Sequence, residues 1–536
     1  MIPIRKINSL PLPLRSVSVI ALGLVGQLVG FPTAKADEIP QGNRPNIMFI
    51  VTDDQGPWAI GASGMSQAKT PRIDRLAAEG VRFTNAFTPT PVCSPARASI
   101  MTSRYGSELG ITDWINPSQD AGVGLDATTP TWPRMLQQAG YSTALFGKWH
   151  LGDTDEQHPT RRGYETFVGF RGGGTTPRDP LLEQGSIDQG VIVKQRTGFI
   201  VDLVTDDTIS WLRQRDRSSP FALSVHYREP HAAYLPVPDE DWERVRDLDI
   251  NVPDLQIPGL QTERVKKLMR EYLASVAAID RNVGRLLDTL DDLKLASDTI
   301  VIFTSDHGYN LGHHGLLYKG NAQWMLEPGA IPPGSERIPR GQRPNMFDTS
   351  LRVPLVIRWP KVMEAGRVEH RTVSHLDWTP TFAALIGHAM NPDAKRSDAK
   401  TTDLQTSEEL GDSSRETTPR RSHATWRGRN LLPLLRGNVA NWDNDFYAEY
   451  SMKHGARADL RAYRTTEWKL VRDFGNAGRD ELYHLASDPG EMRNRIDDQA
   501  EASRQARQAL EEKIAAKMAE ISDPILRKLQ QDGGRP

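Results

Sequence analysis

Cysteine is almost absent from this chain: Cys93 is the only one among 536 residues. A single cysteine excludes any internal disulfide, so the disulfide framework that is common in exported proteins plays no part in this fold. Most lone cysteines are small buried hydrophobic residues. Cys93 therefore has either that ordinary role or a chemical one, and the residues around it must decide between them.

Two other features are missing: an excess of one charge and a long apolar run after the N-terminus. Lys plus Arg total 66 and Asp plus Glu total 68, without a basic cluster, which argues against a nucleic-acid partner. No segment after residue 36 has the run of apolar residues that a membrane span needs. A hydrophobic content of 38% is enough to bury a large core, which excludes a disordered or fibrous protein.

Residues 1–36 differ in composition from the rest of the chain. Basic residues precede an apolar stretch over 16–29, and residues 34–36, Ala-Lys-Ala, have the small side chains of a cleavage site. The pattern predicts a signal peptide cleaved near Ala36. A retained membrane anchor is the alternative, although the apolar stretch is shorter than a membrane span. Cleavage would change the formal charge from −2 to −6. We therefore expect an exported protein, periplasmic or secreted.

Apolar runs of strand length alternate with helical patterns through most of the chain. Residues 46–51 form such a run, which stops at Thr-Asp-Asp-Gln-Gly, as expected for a strand buried on both faces. The patterns predict helices over 71–80, 130–140 and 261–293, and further strands over 141–146, 221–225, 299–304 and 353–357. This alternation predicts an α/β fold with a large mixed, mostly parallel sheet sandwiched by helices, and a functional site at the C-terminal ends of the strands.

The C-terminal part has a different pattern. Residues 391–422 are polar, with almost no large apolar side chains, which predicts a flexible insert. Short strand-like runs at 446–450, 460–464, 468–471 and 481–485 then precede a helical pattern over 501–518. We predict a catalytic domain over 44–390 and a C-terminal subdomain over 423–536, consisting of a smaller antiparallel sheet plus a helix.

The single cysteine begins the segment 93–97, Cys-Ser-Pro-Ala-Arg. This segment resembles the signature Cys-x-Pro-x-Arg of the sulfatase family, formylglycine-dependent enzymes with an alkaline-phosphatase-like fold. The resemblance implies that a formylglycine-generating maturation enzyme oxidises Cys93 to formylglycine (3-oxoalanine). The hydrated aldehyde has two hydroxyls: one attacks sulfur and displaces the alcohol, and the second loses its proton so that sulfate is expelled and the aldehyde returns.

Two acidic pairs follow predicted strands, Asp53-Asp54 and, about 250 residues later, Asp306-His307. The resemblance implies that these four residues, with Cys93, hold the metal ion of the family. Three carboxylates suit a hard cation such as Ca²⁺, which takes six to eight oxygen ligands. Imidazole is an uncommon calcium ligand. Many sulfatases have Asn at the position of His307, whereas a branch that includes enzymes acting on sulfated uronic acids has Asp-His. We predict one Ca²⁺ ion.

Further basic residues complete the site that the resemblance implies. Residues 147–152, Gly-Lys-Trp-His-Leu-Gly, match a family block in which Lys148 and His150 position and polarise the diol. Arg97 supports the alkoxide form of the diol, and all three offset developing negative charge. Lys319 fits the sulfate-binding lysine of the family.

The acid that protonates the leaving alcohol has two candidates. Segment 225–231, Val-His-Tyr-Arg-Glu-Pro-His, resembles the part of the family that places this histidine after a proline, which selects His231. The alternative is His226, which could instead be a core histidine with satisfied hydrogen bonds. Because the ordinary pKa of histidine is about 6.5, either residue could give a proton to a departing alkoxide near neutral pH.

An insert over 320–345 separates Lys319 from the next segment that resembles the family. It is rich in Pro, Gly and Arg, and we expect it to border the mouth of the pocket. It is a candidate substrate-recognition loop, and a passive surface loop is an equal alternative.

The predicted function is hydrolysis of sulfate esters, with sulfated carbohydrate as the expected substrate class and no stable membrane span after signal cleavage. Two alternatives differ in chemistry. A phosphatase or phosphodiesterase of the same superfamily would use Ser or Thr with two transition metals, which the cysteine signature disfavours. A non-catalytic binder of sulfated glycans would have no need to keep every predicted catalytic residue.

Overall fold

The computed structural model describes residues 44–332, 338–339, 341–387 and 425–531. The predicted signal peptide, 1–36, and the predicted polar insert, 391–422, lie outside these residues. The described strands are, in chain order, β1 (Asn46–Thr52), β2 (Val81–Phe83), β3 (Ala86–Phe87), β4 (Ser142–Lys148), β5 (Thr166–Phe170), β6 (Leu181–Ser186), β7 (Gly190–Gln195), β8 (Phe221–His226), β9 (Thr299–Ser305), β10 (Leu316–Leu317), β11 (Asn321–Trp324), β12 (Gln342–Pro344), β13 (Leu355–Arg358), β14 (Arg367–Glu369), β15 (Val373–Ser374), β16 (Phe446–Met452), β17 (Ala458–Arg464), β18 (Trp468–Asp473) and β19 (Glu481–His484).

The described α-helices surround these strands. They are, in chain order, α1 (Pro71–Glu79), α2 (Cys93–Thr102), α3 (Gly106–Leu109), α4 (Trp132–Gln138), α5 (Ile200–Gln214), α6 (Asp239–Glu243), α7 (Thr262–Asp292), α8 (Asp348–Leu351), α9 (Trp378–Leu385), α10 (Leu432–Leu435), α11 (Glu501–Glu520) and α12 (Pro524–Gln531). Within this described set, no helix combines the length and the apolar character that crossing a membrane requires.

The large sheet confirms the predicted fold class. Its ten strands have the order β14-β2-β13-β9-β1-β8-β4-β5-β6-β7. The central strands β9, β1, β8, β4 and β5 run parallel, whereas β13, β6 and β7 pair antiparallel with their neighbours. Parallel central strands place their C-terminal ends at one edge of the sheet.

Helices cover both faces of this sheet. Strand β1 is apolar at every position from 47 to 51, so each of its faces can pack against a layer of helices. Ile47, Phe49 and Val51 pack in a core that contains residues of α2, α4 and α9. Met48 and Ile50 pack in a second core, which contains residues of α1, α5 and α7. A strand buried on both faces reads as a continuous apolar run, which explains why this element was predictable from sequence.

The C-terminal part forms the predicted smaller sheet. Strands β16 to β19 pair antiparallel in sequence order. The long helix α11 packs on this sheet through Leu510, Ile514 and Met518, which share a core with Leu470 and Leu482.

The insert over 320–345 differs from the predicted loop. It contains strands β11 and β12, which join β10 in a three-stranded antiparallel sheet. Ala322 of the insert is buried in a cluster with Leu316, Phe347, Tyr483 and Leu485, so part of the insert packs against neighbouring segments. Because its sequence is rich in Pro and Gly, which are typical of turns and loops, these short strands were not predicted from the sequence.

Candidate active site

The register of the large sheet brings the two acidic pairs together. Thr52, the last residue of β1, is paired with Ser305, the last residue of β9. Asp53-Asp54 and Asp306-His307 therefore leave neighbouring strands at the same edge. The Asp306 amide donates to Thr52 O (3.0 Å), which joins the two strand ends beyond the last register pair.

Strands β4 and β8 bring further predicted residues to this edge. Lys148 is the last residue of β4 and His226 the last of β8, and Gly147 is paired with His226. Gly147 has a φ of +103°, and a Cβ there would lie 1.9 Å from His226 O. The close approach of the two strands thus requires glycine at position 147.

Cys93 is the first residue of α2 and is buried. Its Sγ lies 3.7 Å from Asp53 Oδ1 and 3.3 Å from Lys319 Nζ. Burial raises the pKa of this thiol, but Lys148 and Lys319 outweigh burial and lower the pKa to about 6. The surroundings of residue 93 thus favour a negative charge on its side chain.

The predicted metal ligands form a compact buried group. One ligand atom from each of Asp53, Cys93, Asp306 and His307 lies within 4.8 Å of the others, and the same holds for Asp53, Asp54, Cys93 and His231. Carboxylate oxygens dominate the group, which fits a hard divalent cation.

The orientation of His307 supports that fit. Its Nδ1 donates to Gly308 O (2.9 Å), since a carbonyl oxygen can only accept, so in the neutral ring the lone pair lies on Nε2. Nε2 is buried without a hydrogen-bond partner, 3.3 Å from Asp54 Oδ1 and 3.4 Å from Asp306 Oδ1. Burial lowers the pKa of His307, but Asp306 opposes it and the pKa rises to about 9. Either a proton or a cation therefore belongs between this nitrogen and the carboxylates.

Each predicted acidic ligand also has a cationic partner. Lys148 is hydrogen-bonded to Asp53, and Lys319 to Asp54. Arg97 Nε donates to Asp306 Oδ2 (3.0 Å). Burial alone would raise the pKa of Asp53, but Lys148, His231 and Arg97 lower it well below its ordinary value. Asp53 is therefore ionised and available as a ligand.

His150 and His226 lie close to this group and are buried. His150 Nε2 is 3.1 Å from Ile115 O, and Nδ1 has no hydrogen-bond partner. Burial, with Lys148, lowers the pKa of His150 well below its ordinary value, so this imidazole is neutral. His226 Nδ1 is 3.1 Å from Lys148 O, and burial lowers its pKa to about 3.

His231 is the more accessible of the two candidate acids. Its side chain is 28% exposed, whereas His226 is 2% exposed as a whole residue. His231 Nε2 lies 3.9 Å from Asp54 Oδ2, and its Nδ1 is 2.7 Å from Ala232 O. A histidine at the open side of the group can reach a leaving group, which a fully enclosed one cannot.

Sequence reasoning missed residues that hold the two acidic segments. Tyr272, on α7, donates to Asp54 O (2.8 Å) and accepts from the Gly56 amide (3.1 Å). His375 Nε2 donates to Ser305 O (2.8 Å), directly before Asp306. Tyr272 lies in the apolar pattern of a long helix, so periodicity alone identifies it as a core residue. For His375, nothing in the sequence indicates its contact.

The Sulfatase family matches residues 45–388, and the C-terminal region of N-sulphoglucosamine sulphohydrolase matches residues 392–520. The fold and the first match together define a protein of the sulfuric ester hydrolase class with an alkaline-phosphatase-like fold. Because this match covers more than half of the chain, the chain belongs to the sulfatase family.

Individual relatives are distant. N-acetylglucosamine-6-O-sulfatase of Bacteroides thetaiotaomicron is 26% identical over 84% of this chain and 82% of its own length. Human steryl-sulfatase is 28% identical over 76% of this chain and 72% of its own length. A solved structure in complex with its substrate D-glucosamine-2-N,6-O-disulfate has a TM-score of 0.71 and 24% identity, and the match covers 90% of this chain and 99% of that one. The structural likeness supports the fold.

Proposed function

We propose that this protein is a sulfatase that hydrolyses sulfate esters of carbohydrates, with a formylglycine made from Cys93 and one Ca²⁺ ion. One observation carries the proposal. The only cysteine of the chain lies buried at the first turn of α2, between the ammonium group of Lys319 and the carboxylate of Asp53. A buried structural cysteine would have apolar neighbours, whereas these charged groups serve a reaction on an anion.

In this proposal the charged side chains have separate roles. Asp53, Asp54, Asp306 and His307 would hold the cation, which supplies positive charge next to the sulfate group. A hydrated formylglycine at position 93 supplies one hydroxyl for attack on sulfur and a second for the release of sulfate. Lys148, Lys319 and Arg97 stabilise the negative charge that develops on the oxygens.

Two histidines handle protons in this proposal. The imidazole of His150 is neutral and its Nδ1 has no hydrogen-bond partner, so Nδ1 can accept the proton of a hydroxyl at position 93. His231, at the open side of the group, gives a proton to the departing alcohol. His226 is enclosed, which favours a supporting role for it.

The substrate class is inferred from the relatives. One is named for N-acetylglucosamine 6-O-sulfate, and the similar solved structure contains a disulfated glucosamine. Other relatives are named steryl-sulfatase and choline-sulfatase, so sterol and choline esters are the contrasting classes. The match to the C-terminal region of N-sulphoglucosamine sulphohydrolase favours an amino sugar.

The test is a measurement of sulfate release from purified, matured enzyme. The panel contains glucosamine and galactosamine sulfates with defined positions, sulfated uronic acids, a steryl sulfate, choline sulfate and a nitrophenyl phosphate. We expect the highest kcat/KM on a sulfated amino sugar, and none with Cys93→Ala. Faster release from the steryl or choline ester would overturn the substrate class. Phosphate release without sulfate release would move the protein to the phosphatase alternative.

We propose a signal peptide over 1–36, a catalytic domain over 44–390, a polar insert over 391–422 and a C-terminal subdomain over 423–536. Export would be tested by fractionating cells that express the full chain and sequencing the N-terminus of the exported form. A form that keeps residues 1–36 and sediments with membranes would favour the anchor.

A further inference from the structure

Asp113 lies between α3 and α4 and joins two parts of the chain that are distant in sequence. Its Oδ2 accepts hydrogen bonds from the backbone amides of Lys453 (2.7 Å) and His454 (3.0 Å), 340 and 341 residues away. Its Oδ1 accepts from the hydroxyl of Tyr450 (3.1 Å) and the amide of Trp114 (2.9 Å). Four donors thus satisfy one buried carboxylate, which fixes its loop to β16 and to the hairpin that follows this strand.

The same loop contacts two elements of the candidate active site. Two residues after Asp113, the Ile115 amide donates to Ser94 Oγ (2.9 Å), and Ser94 is the neighbour of Cys93. The Ile115 carbonyl lies 3.1 Å from His150 Nε2. A carbonyl oxygen can only accept, so Nε2 carries the hydrogen and Nδ1 carries the lone pair. Nδ1 is buried and has no hydrogen-bond partner.

We propose that Asp113 is a positioning residue for sulfate-ester hydrolysis, which holds the Ile115 carbonyl against His150 and thereby keeps Nδ1 directed at the hydroxyl of residue 93. In the step that releases sulfate, the O–H bond of the free hydroxyl on residue 93 breaks as an N–H bond forms at Nδ1; the electron pair left on oxygen forms the C=O bond of the aldehyde, and the C–O bond to the sulfate group breaks. The reaction step in this inference rests on the proposed function, whereas the hydrogen bonds of Asp113 and His150 do not depend on it. The C-terminal subdomain then affects the reaction through these hydrogen bonds.

The test variant is Asp113→Asn, because asparagine keeps the size but replaces one acceptor oxygen by an amide that cannot accept. Both oxygens of Asp113 accept hydrogen bonds, so the new amide group meets hydrogen-bond donors whichever way the side chain is turned. We therefore expect the loop to shift. We expect kcat on the best sulfate ester of the screen to fall about tenfold or more, with KM changed by less than about threefold. We also expect the slowly exchanging Nε2–H proton of His150 to disappear from the NMR spectrum. His150→Gln assigns this signal.

Glu449→Gln is the matched control. Glu449 precedes Tyr450 on β16, and its carboxylate also joins this strand to the other part of the chain, because it accepts from the amide and the hydroxyl of Ser107 (2.7 Å each). These bonds do not involve Ile115. We expect this variant to keep both kcat and the His150 signal, so a loss confined to Asp113→Asn reports positioning and not general loosening.

A second variant covers the case in which Asp113→Asn does not fold. Tyr450→Phe removes one of the four donors and keeps the ring, so we expect a smaller fall in kcat with faster exchange of the His150 proton. An unchanged His150 signal in folded Asp113→Asn overturns the inference, as does an equal loss of kcat in Glu449→Gln. The NMR signal is recorded without substrate, so it decides the positioning role even if the screen for sulfate release fails.

Discussion

Lys319 Nζ lies 3.3 Å from Cys93 Sγ and is also hydrogen-bonded to the Asp54 carboxylate. One ammonium group therefore contacts both the position of the nucleophile and a predicted metal ligand. Burial lowers the pKa of Lys319, but Asp54 and Cys93 outweigh burial and raise it well above its ordinary value. Lys319 is charged in the free protein, so the sulfate-binding role proposed for it requires no change of protonation when substrate binds.

Lys319→Met should therefore lower kcat/KM for sulfate esters by about 10²–10³, because a preorganised charge is lost from an enclosed site. The measurement is steady-state kinetics on the best substrate of the screen. Lys267→Met, which removes an exposed lysine on α7, is the control and should stay within about twofold of the parent. A similar small effect for Lys319→Met would place sulfate binding elsewhere.

Cys93 should be formylglycine in active preparations, because neither a thiol nor a simple hydroxyl offers the route by which sulfate is expelled. Mass spectrometry of the peptide that contains residues 93–97 measures the modified fraction, which should rise in proportion to kcat across preparations. Cys93→Ala should have no activity and an unfolding temperature near that of the parent, since a small side chain is removed. Full activity with unmodified cysteine would contradict the mechanism.

Removal of divalent metal should abolish activity, and Ca²⁺ should restore it better than Zn²⁺, because three carboxylates dominate the ligand group. Added Ca²⁺ should also raise the unfolding temperature; binding at a hundredfold excess over Kd stabilises by about 2.7 kcal/mol. Asp306→Asn should remove both responses. Asp288→Asn, at an exposed carboxylate, should keep them. Preferential rescue by Zn²⁺ would favour the phosphatase alternative.

The sequence predicted best the elements whose residue pattern fits only one type of secondary structure. The run before Asp53 predicted β1 because a strand buried on both faces is continuously apolar. The helix predicted over 261–293 is α7, Thr262–Asp292, whose length makes its periodicity clear. The strands β6 and β7 were missed because they contain glycine and exposed residues, whereas β11 and β12 were missed because they are short.

The candidate site was predictable for a different reason. Most of its residues were implied by the resemblance to the sulfatase family. Asp53-Asp54 and Asp306-His307 also follow strand ends, and the sheet register then brings these ends together. The contacts of Asp113 with β16 and its hairpin were beyond sequence reasoning, because an isolated Asp followed by Trp in a loop carries no signal of a partner 340 residues away. Hydrogen bonds between distant segments depend on the packing of whole subdomains, which local patterns do not encode.

His231 should be the acid for the leaving group. His231→Ala should slow sulfate release from sugars much more than from nitrophenyl sulfate, because a sugar alkoxide leaves poorly without a proton and nitrophenolate leaves well. The loss on sugar esters should be about 10²–10⁴-fold. The ratio of the two losses is measured where chemistry limits the rate. Equal losses would mean that His231 binds sulfate, and a selective loss in His226→Ala would transfer the role to that residue.

Lys469 should be essential for stability at the contact between β18 and α8. It is fully buried, and its Nζ donates to Asp348 Oδ1 (2.8 Å) and to Glu491 Oε1 (2.6 Å). Lys469→Met leaves these carboxylates without that partner, so the free energy of unfolding should fall by about 3–5 kcal/mol. Lys513→Met, which removes an exposed ion pair with Asp445, should cost less than about 1 kcal/mol. Urea denaturation measures both.

The loss in free energy of unfolding caused by Lys469→Met should also depend on pH. Burial raises the pKa of Asp348, but Arg464, Lys469 and Arg352 outweigh burial and lower it below the ordinary 3.8. An acid whose pKa is lowered by folding adds stability above its unfolded pKa, and this contribution is lost as the pH falls through the folded value. Without Lys469 that contribution shrinks, so parent and variant should differ more at pH 7 than at about pH 2, because the contribution is lost only below the unfolded pKa of about 3.8. A difference that is equal at both pH values would show that Lys469 acts through packing and not through its charge.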